Sequence, residues 1–397
     1  MKTVAEAINY IHSRPKYGQA NTLKRMHCLL AVLGQPQDQL PAVIHVAGTN
    51  GKGSVATMIS HILVAAGYQT GLFISPFVVD FRERIQLNNQ WIEPAALLAY
   101  IQKVAQAVKA VEQKLGQAGA PTEFEVLTAI MILYFANQPL DVAVVEVGLG
   151  GLYDSTNVLP TSRIAVITSL AYDHCQILGK TLSEIAYQKA GIIHDDMQVV
   201  VGNLPPETLP IIQAHHQPII IGQAGEFAPG LPGKYQIENT AIAVAAVRAF
   251  QPDLSKAVIE SGLTASHFPG RFEKIAPNIL IDGAHNVAGL TALVAALKQR
   301  YPGKIRLVIG SLADKNISEY LPQLSDDDQF EIILVNFQGV NNRPGLTLDQ
   351  FRHQSGLTVI DNWVTLLQVP VKDLTVFTGS LYFISEVRSV VWQQKNN

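Results

Sequence analysis

Short runs of Val, Ile and Leu recur along the chain, and most are followed by a longer segment whose apolar residues return every three or four positions. The first pattern is that of a strand covered on both faces, the second that of a helix. Strands are expected at 42–47, 71–74, 141–147, 163–169, 197–201 and 217–221, and, after a restart, at 278–282, 305–309, 331–336 and 374–377. In the second half, helices are expected at about 286–300, 316–324 and 347–355. Strand–helix alternation implies parallel α/β architecture. The clearest interruption is ESGLTASHFPGRFE, with Gly262, Pro269 and Gly270, which places a domain boundary near residue 267.

Composition narrows this picture. A chain of 397 residues exceeds what one core usually serves, so two domains are expected. With 48% hydrophobic and 15% charged residues, it reads as a compact folded protein. A net charge of -3 gives no general field for nucleic acid or acidic lipid, so neither nucleic acid nor a membrane is an expected partner. Any anionic substrate must be met by local groups. Two cysteines, Cys28 and Cys175, are too few for a disulfide framework and suggest a reducing compartment. The opening MKTVAEAINYIHSRP is interrupted by Glu6, Asn9 and His12, unlike a signal peptide, and no apolar run reaches spanning length. A cytoplasmic enzyme is the expectation.

The candidate chemistry begins at VIHVAGTNGKGSVATMISHIL, residues 43–63. It departs from the P-loop spelling G-x-x-x-x-G-K-[ST]: Val46 stands where the first glycine belongs, and Gly53 separates Lys52 from Ser54. The physics still fits. A strand ends at Ala47, glycines let backbone N–H groups face a ligand, and Val55, Met58, Ile59, Ile62 and Leu63 mark an amphipathic helix. The helix N-terminus offers N–H groups and dipole to an anion. Thr49, Asn50, Gly51, Lys52, Gly53 and Ser54 are therefore candidates to hold ATP, with Lys52 on the outer phosphates and the Ser54 hydroxyl within reach of Mg²⁺. The bland alternative is a tight βα turn with a surface lysine.

Further groups recur at strand ends. Glu146 closes VAVVEVG, where a carboxylate suits Mg²⁺ or a lysine partner. His174–Cys175 follows the next strand, but no partner base accompanies the thiol. GKTLSEIAYQKAGII opens with a capping box, Thr181 to Glu184, and carries Lys189, which taken alone reads as a solvated helix lysine.

IHVAGTNGKGS resembles the nucleotide loop of the folylpolyglutamate synthase/dihydrofolate synthase family of the Mur ligase superfamily, extra glycine included. FISPF, FRERI, VVEVGLGG, ILGKTLSEIAYQKAGII, PGRFE, DGAHN and TGSLYF follow in the family's order. The resemblance implies an N-terminal P-loop ATPase-like α/β domain with a mostly parallel sheet, residues 1–267, and a smaller Rossmann-like α/β C-terminal ligase domain, 268–397. It implies ATP and Mg²⁺, with Ser54, Ser75, Glu146 and His174 as metal ligands and Lys189 carbamylated. Lys52, Lys189 and His174 are the implied catalytic residues. Arg271, Asp282, His285 and Asn286 would contact the nucleotide from the second domain, although Asp282 alone reads equally as a helix cap.

The chain also departs from the family. Phe77 replaces the usual histidine of S-P-H. Leu152 and Tyr153 replace arginine and leucine, while Asp154 and Asn157 are retained. Val287 replaces the proline of H-N-P, and the interval between IIIGQAGEFA and YQIENT is trimmed. Phe77, Asp154 and Asn157 are the implied substrate contacts. The activity implied is ATP-dependent addition of L-glutamate to a folate, or to dihydropteroate, through an acyl phosphate, by a monomer whose domains close about 262–270. A P-loop kinase, a ligase for another carboxylate and a non-catalytic nucleotide-binding paralogue are the competing readings.

Overall fold

The structure, a computed structural model, describes all residues except 17, 19–21, 117–118, 314, 316, 318–319, 322–323, 325–326, 338–343, 368–373 and 397, with backbone alone described for 394–396. The chain divides into a unit of Met1–Gly230 with Gln236–His267 and a unit of Leu231–Tyr235 with Phe268–Asn397.

The first unit is built on an eight-stranded sheet. In chain order its strands are β1 (Ala42–Ala47), β2 (Thr70–Phe73), β3 (Ile85–Leu87), β4 (Gln90–Trp91), β5 (Val142–Glu146), β6 (Ser162–Ile167), β7 (Gln198–Val201) and β8 (Ile219–Ile221). In space they run β4-β3-β2-β5-β1-β6-β7-β8. All neighbours are parallel except β2–β3 and β3–β4. Strand β1 lies between β5 and β6; the chain passes from β1 to β2 on one side and from β5 across β1 to β6 on the other, so a crevice opens at their C-terminal ends.

Helices α1 (Val4–His12), α2 (Lys24–Val32), α4 (Pro94–Leu115) and α5 (Glu123–Phe135) share a core with Val43, Phe73, Ala143 and Val145 of the sheet. A second core joins Ala165, Ile167, Val199 and Val201 to Ile185, Ala186 and Ala190 of α7 (Leu182–Ala190). Burial on both faces explains the unbroken Val/Ile runs, each such side chain contributing about 1.5–3 kcal/mol. Helix α3 (Lys52–Ala65), expected to bury one stripe, is buried nearly all round. Its outer side is covered by α10 (Lys256–Ala265), which approaches so closely that a Cβ on Gly262 would lie 2.4 Å from Ile62 Cα.

The second unit carries a six-stranded sheet ordered β13-β12-β11-β14-β10-β9. These are β9 (Glu273–Ala276), β10 (Ile279–Ile281), β11 (Ile305–Ile309), β12 (Phe330–Val335), β13 (Leu357–Ile360) and β14 (Leu374–Thr378), with only β9 antiparallel to its neighbour. Helix α11 (Val287–Arg300) packs Leu290, Leu293 and Leu297 on Leu280, Leu307 and Val376. Both units are thus α/β with mostly parallel sheets. The helix expected at 347–355 is a single 3₁₀ turn, Asp349–Phe351, because Leu348 and Phe351 alone reach the core and Gly356 turns the chain at φ 78°. Most of the helix expected at 316–324 falls outside the described residues. Strands β3, β4, β9 and β13 were not among those expected.

Candidate active site

Four adjacent strands end together and define the site. In register, Val46 pairs with Glu146, Ala47 with Ile167, and Phe73 with Val145, so the chain after β1, β5, β6 and β2 emerges along one edge. The turn after β1 leads straight into α3, whose N-cap is Gly51 at φ 87° and has no side-chain cap. The amide groups of its first turn therefore face the crevice. A Cβ on Gly51 would sit 2.4 Å from Asn239 Oδ1, so glycine is required by conformation and by space.

The turn is held from the neighbouring strand. Thr49 N donates to Ser169 O at 2.8 Å, and Asn50 N to Ser169 Oγ at 3.0 Å. The Asn50 carbonyl accepts from Thr168 Oγ1 at 2.7 Å and Ser169 Oγ at 3.0 Å. Thr49 Oγ1 donates to Ala171 O and accepts from Ala171 N, both at 3.1 Å. Helix α9 (Tyr235–Phe250) supplies two further buried side chains, with Gln236 Nε2 donating to Ser54 Oγ at 3.2 Å and Asn239 Nδ2 to Gln236 Oε1 at 2.9 Å. Sequence reading missed Thr168, Ser169, Gln236 and Asn239. The Gln-x-x-Asn spacing at a helix start was the one available signal.

Two lysines converge on this turn. Lys52 Nζ donates to Gly48 O at 3.1 Å and Thr49 O at 3.2 Å. Lys189, from α7, donates to Gly48 O at 2.8 Å and is only 3% exposed. Burial first, and then the Lys52 charge, lower its pKa to about 7 against the pull of Asp173 and Asp154. It is therefore not the solvated helix lysine that its isolated sequence suggests. At neutral pH an appreciable fraction is a neutral amine.

Glu146 is 3% exposed, and its Oε2 accepts from Ser75 N at 2.8 Å, which brings Ser75 and Glu146 together. Ser54 is 2% exposed. A buried hydroxyl and a buried carboxylate are hard oxygen donors and fit Mg²⁺. No group of three or more His, Cys, Asp or Glu side chains gathers around a metal position among the described residues. His174 caps α6 (Cys175–Leu178) in the left-handed region, with its amide donating to Asp173 Oδ1 at 2.8 Å. Cys175 is a free thiol.

Phe77 lies beside Phe81, ring centroids 5.7 Å apart, with the Arg84 guanidinium 5.1 Å from its ring centre. Of the two residues expected at the rim, Asp154 uses its side chain inside the 148–157 turn and Asn157 ties that turn to Gly191 and His194. Asp154 is 6% exposed and accepts from Leu149 N, Thr156 N and Thr156 Oγ1. Asn157 Nδ2 donates to Leu152 O and Gly191 O.

In the second unit, the turn around Arg271 is fixed by carboxylates. Gly270 N donates to Glu273 Oε2 at 2.7 Å, and Arg388 Nε holds the other Glu273 oxygen at 3.1 Å. Asp282 accepts from Phe272 N, Ala284 N and Tyr235 Oη, all within 2.9 Å. The Arg271 guanidinium lies 5.3 Å from the Phe268 ring centre. His285 Nδ1 donates to Gly283 O at 2.8 Å. The cap of α11 is Asn286, whose Oδ1 accepts from Gly289 N; Asp282 instead ties the turn together.

This fold and this site define a P-loop α/β protein of two units. The Mur ligase middle domain matches residues 46–217, and the Mur ligase glutamate ligase domain matches 270–380. The chain is 36% identical to the folylpolyglutamate synthase of Lacticaseibacillus casei over 97% of its own length and 98% of the relative's. It is 34% identical to the dihydrofolate synthase/folylpolyglutamate synthase of Bacillus subtilis, over 96% and 98%. Among solved structures, Mycobacterium tuberculosis folylpolyglutamate synthase complexed with ADP and AMPPCP superposes with a TM-score of 0.86 at 29% identity, covering 98% of each chain. An FPGS–AMPPCP–folate complex gives 0.86 at 34% identity, covering 98% of this chain and 99% of that one. The chain belongs to the folylpolyglutamate synthase/dihydrofolate synthase family of Mur ligases. No helix among the described residues is long and apolar enough to cross a membrane.

Proposed function

We propose that the protein is an ATP-dependent acid–amino-acid ligase that extends a folate with L-glutamate, releasing ADP and phosphate. The observation that carries this reading is the pair of lysines on the phosphate turn beside the buried Glu146, in a chain similar from end to end to folylpolyglutamate synthases. Dihydropteroate is a second acceptor, favoured by the double name of the Bacillus subtilis relative.

The turn at 48–54 and the N-terminus of α3 take the phosphates of ATP through backbone N–H groups. Lys52 swings from the two carbonyls it now holds to the outer phosphates, where it offsets the charge that develops as the substrate carboxylate attacks phosphorus. Gln236 orients the Ser54 hydroxyl. Ser54, Ser75, Glu146 and His174 would hold Mg²⁺, which would neutralise phosphate charge when bound. The glutamate amine then displaces phosphate from the acyl phosphate, with N–C bond formation, C–O cleavage and loss of one amine proton.

The depressed pKa of Lys189 supports the carbamate that the family resemblance implies. Only a neutral amine attacks CO₂, forming the N–C bond and releasing a proton, and the anionic product would suit the Lys52 side of the turn. Arg271, Asp282, His285 and Asn286 are proposed nucleotide contacts on the same resemblance, and Phe77 a contact for the flat ring of the acceptor. The test is ADP release with tetrahydrofolate, with and without L-glutamate. Release that requires both supports the ligase, release without glutamate indicates a kinase or ATPase, and no release with any folate overturns the reading.

A further inference from the structure

A buried chain of side chains, His45, Thr156 and Asp154, joins β1 to the 148–157 turn. His45 lies on β1, 1% exposed, with Nε2 at 2.8 Å from Thr156 Oγ1. Thr156 is fully buried and its hydroxyl proton goes to Asp154 Oδ1 at 2.5 Å. The Thr156 oxygen must then accept from His45, which places a proton on Nε2. Asp154 also takes the amides of Thr156 and Leu149 at 3.0 and 2.8 Å, so its carboxylate draws both ends of the turn inward.

The outer side of the same turn grips the end of α7. Leu152 N donates to Gln188 O at 2.7 Å, and Asn157 Nδ2 to Gly191 O at 2.9 Å. Gly151 packs so tightly on this end that a Cβ would meet Gln188 O at 2.7 Å and Lys189 O at 2.9 Å. Lys189 is therefore located from two directions: its ammonium by Gly48 O and its backbone by the turn.

We infer that His45, Thr156 and Asp154 are positioning residues that act through the 148–157 turn to hold Lys189 at the phosphate loop, and that Asp154 does not contact the acceptor. The inference deepens the ligase reading and rests on it only for the kinetic half of its test. Burial raises the Asp154 pKa, opposed by the hydrogen bonds from Thr156, Leu149 and Gly148. Burial takes the His45 pKa down to about 3, so the imidazole stays neutral and keeps its Nε2–H donor.

The experiment compares Thr156→Val, which keeps shape but loses the hydroxyl, with Thr156→Ser, which keeps it. Thr156→Val is expected to lower kcat roughly 10- to 100-fold, with KM for ATP and folate within about twofold, because displacement of a site group by 1 Å costs on that scale. Thr156→Ser is expected to recover most of the rate. A raised folate KM at unchanged kcat, or no kinetic change in Thr156→Val, overturns the inference. A second measurement needs no ligase activity: competitive acetylation with acetic anhydride, read by mass spectrometry at Lys189. Labelling of Lys189 is expected to rise several-fold in Thr156→Val and to return toward wild type in Thr156→Ser. Unchanged labelling overturns the inference even if wild-type protein makes no amide, an outcome that separately defeats the ligase reading.

Discussion

Lys52 and Lys189 donate to the same backbone carbonyl, Gly48 O, at 3.1 and 2.8 Å. Two ammonium groups sharing one acceptor repel each other, and for Lys189 this repulsion adds to the larger effect of burial in lowering its pKa. The carbonyl partly screens the repulsion. A phosphate at the turn would offset both charges, so the pair of lysines favours an anion there.

Lys52→Ala removes the charge expected on the outer phosphates. Glutamate- and folate-dependent ADP release should fall by about 100-fold or more in kcat/KM. Steady-state assay of ADP checks this, and undiminished amide formation would exclude the phosphate-loop mechanism.

The Lys189 titration also sets a stability slope. Its ordinary pKa is 10.5 and its folded value about 7, so between these the unfolded chain holds a proton that the folded chain lacks. Folded-state stability gains from Lys189 as pH rises through that window, and the burden is fully present below pH 7. Wild type should therefore gain stability relative to Lys189→Met between pH 7 and 10, as urea unfolding at both pH values would reveal. Lys52→Ala should raise the Lys189 pKa, readable from the pH dependence of its acetylation.

Glu146→Gln keeps the acceptor for Ser75 N but removes the charge. The Mg²⁺ concentration for half-maximal activity should rise at least about 10-fold, in line with disruption of a metal's immediate surroundings. Metal titration of the purified variant decides it. An unchanged midpoint removes Glu146 from the metal's ligands.

Gly151→Ala puts a methyl against the carbonyls of Gln188 and Lys189, backbone atoms that cannot rotate away. A loss of about 1–3 kcal/mol is expected, as for other overpacked sites. Differential scanning calorimetry should show a lower Tm, and a wild-type Tm would mean α7 yields more readily than its packing indicates.

The central strands were legible because β1, β5 and β6 are buried on both faces and must be continuous Val and Ile. The edge strands were not: β4 is two exposed residues, Gln90 and Trp91, with no pattern to read. The segment 347–355 offered a helical spacing too short to nucleate without a packed face. At the site, Lys52 and Glu146 were visible from glycine spacing and strand position. The burial of Lys189 was not, because its amine partner, Gly48 O, lies 141 residues earlier in the chain. Gln236 and Asn239 look like ordinary polar helix residues until α9 is laid against Ser54 and Gly51. Asp154 is singled out by its motif as a substrate contact, whereas its carboxylate accepts from three donors of its own turn, a pairing the motif does not reveal.

Asn50 is clasped through both its amide and its carbonyl by residues 168–169 at the end of β6. A binding loop fastened in this way has little freedom left to surrender when a nucleotide arrives, so association should proceed with a small entropic penalty and without slow rearrangement. Loosening the clasp at Thr168 would then surface as weaker nucleotide affinity, a defect originating in the segment after β6 rather than in the binding loop.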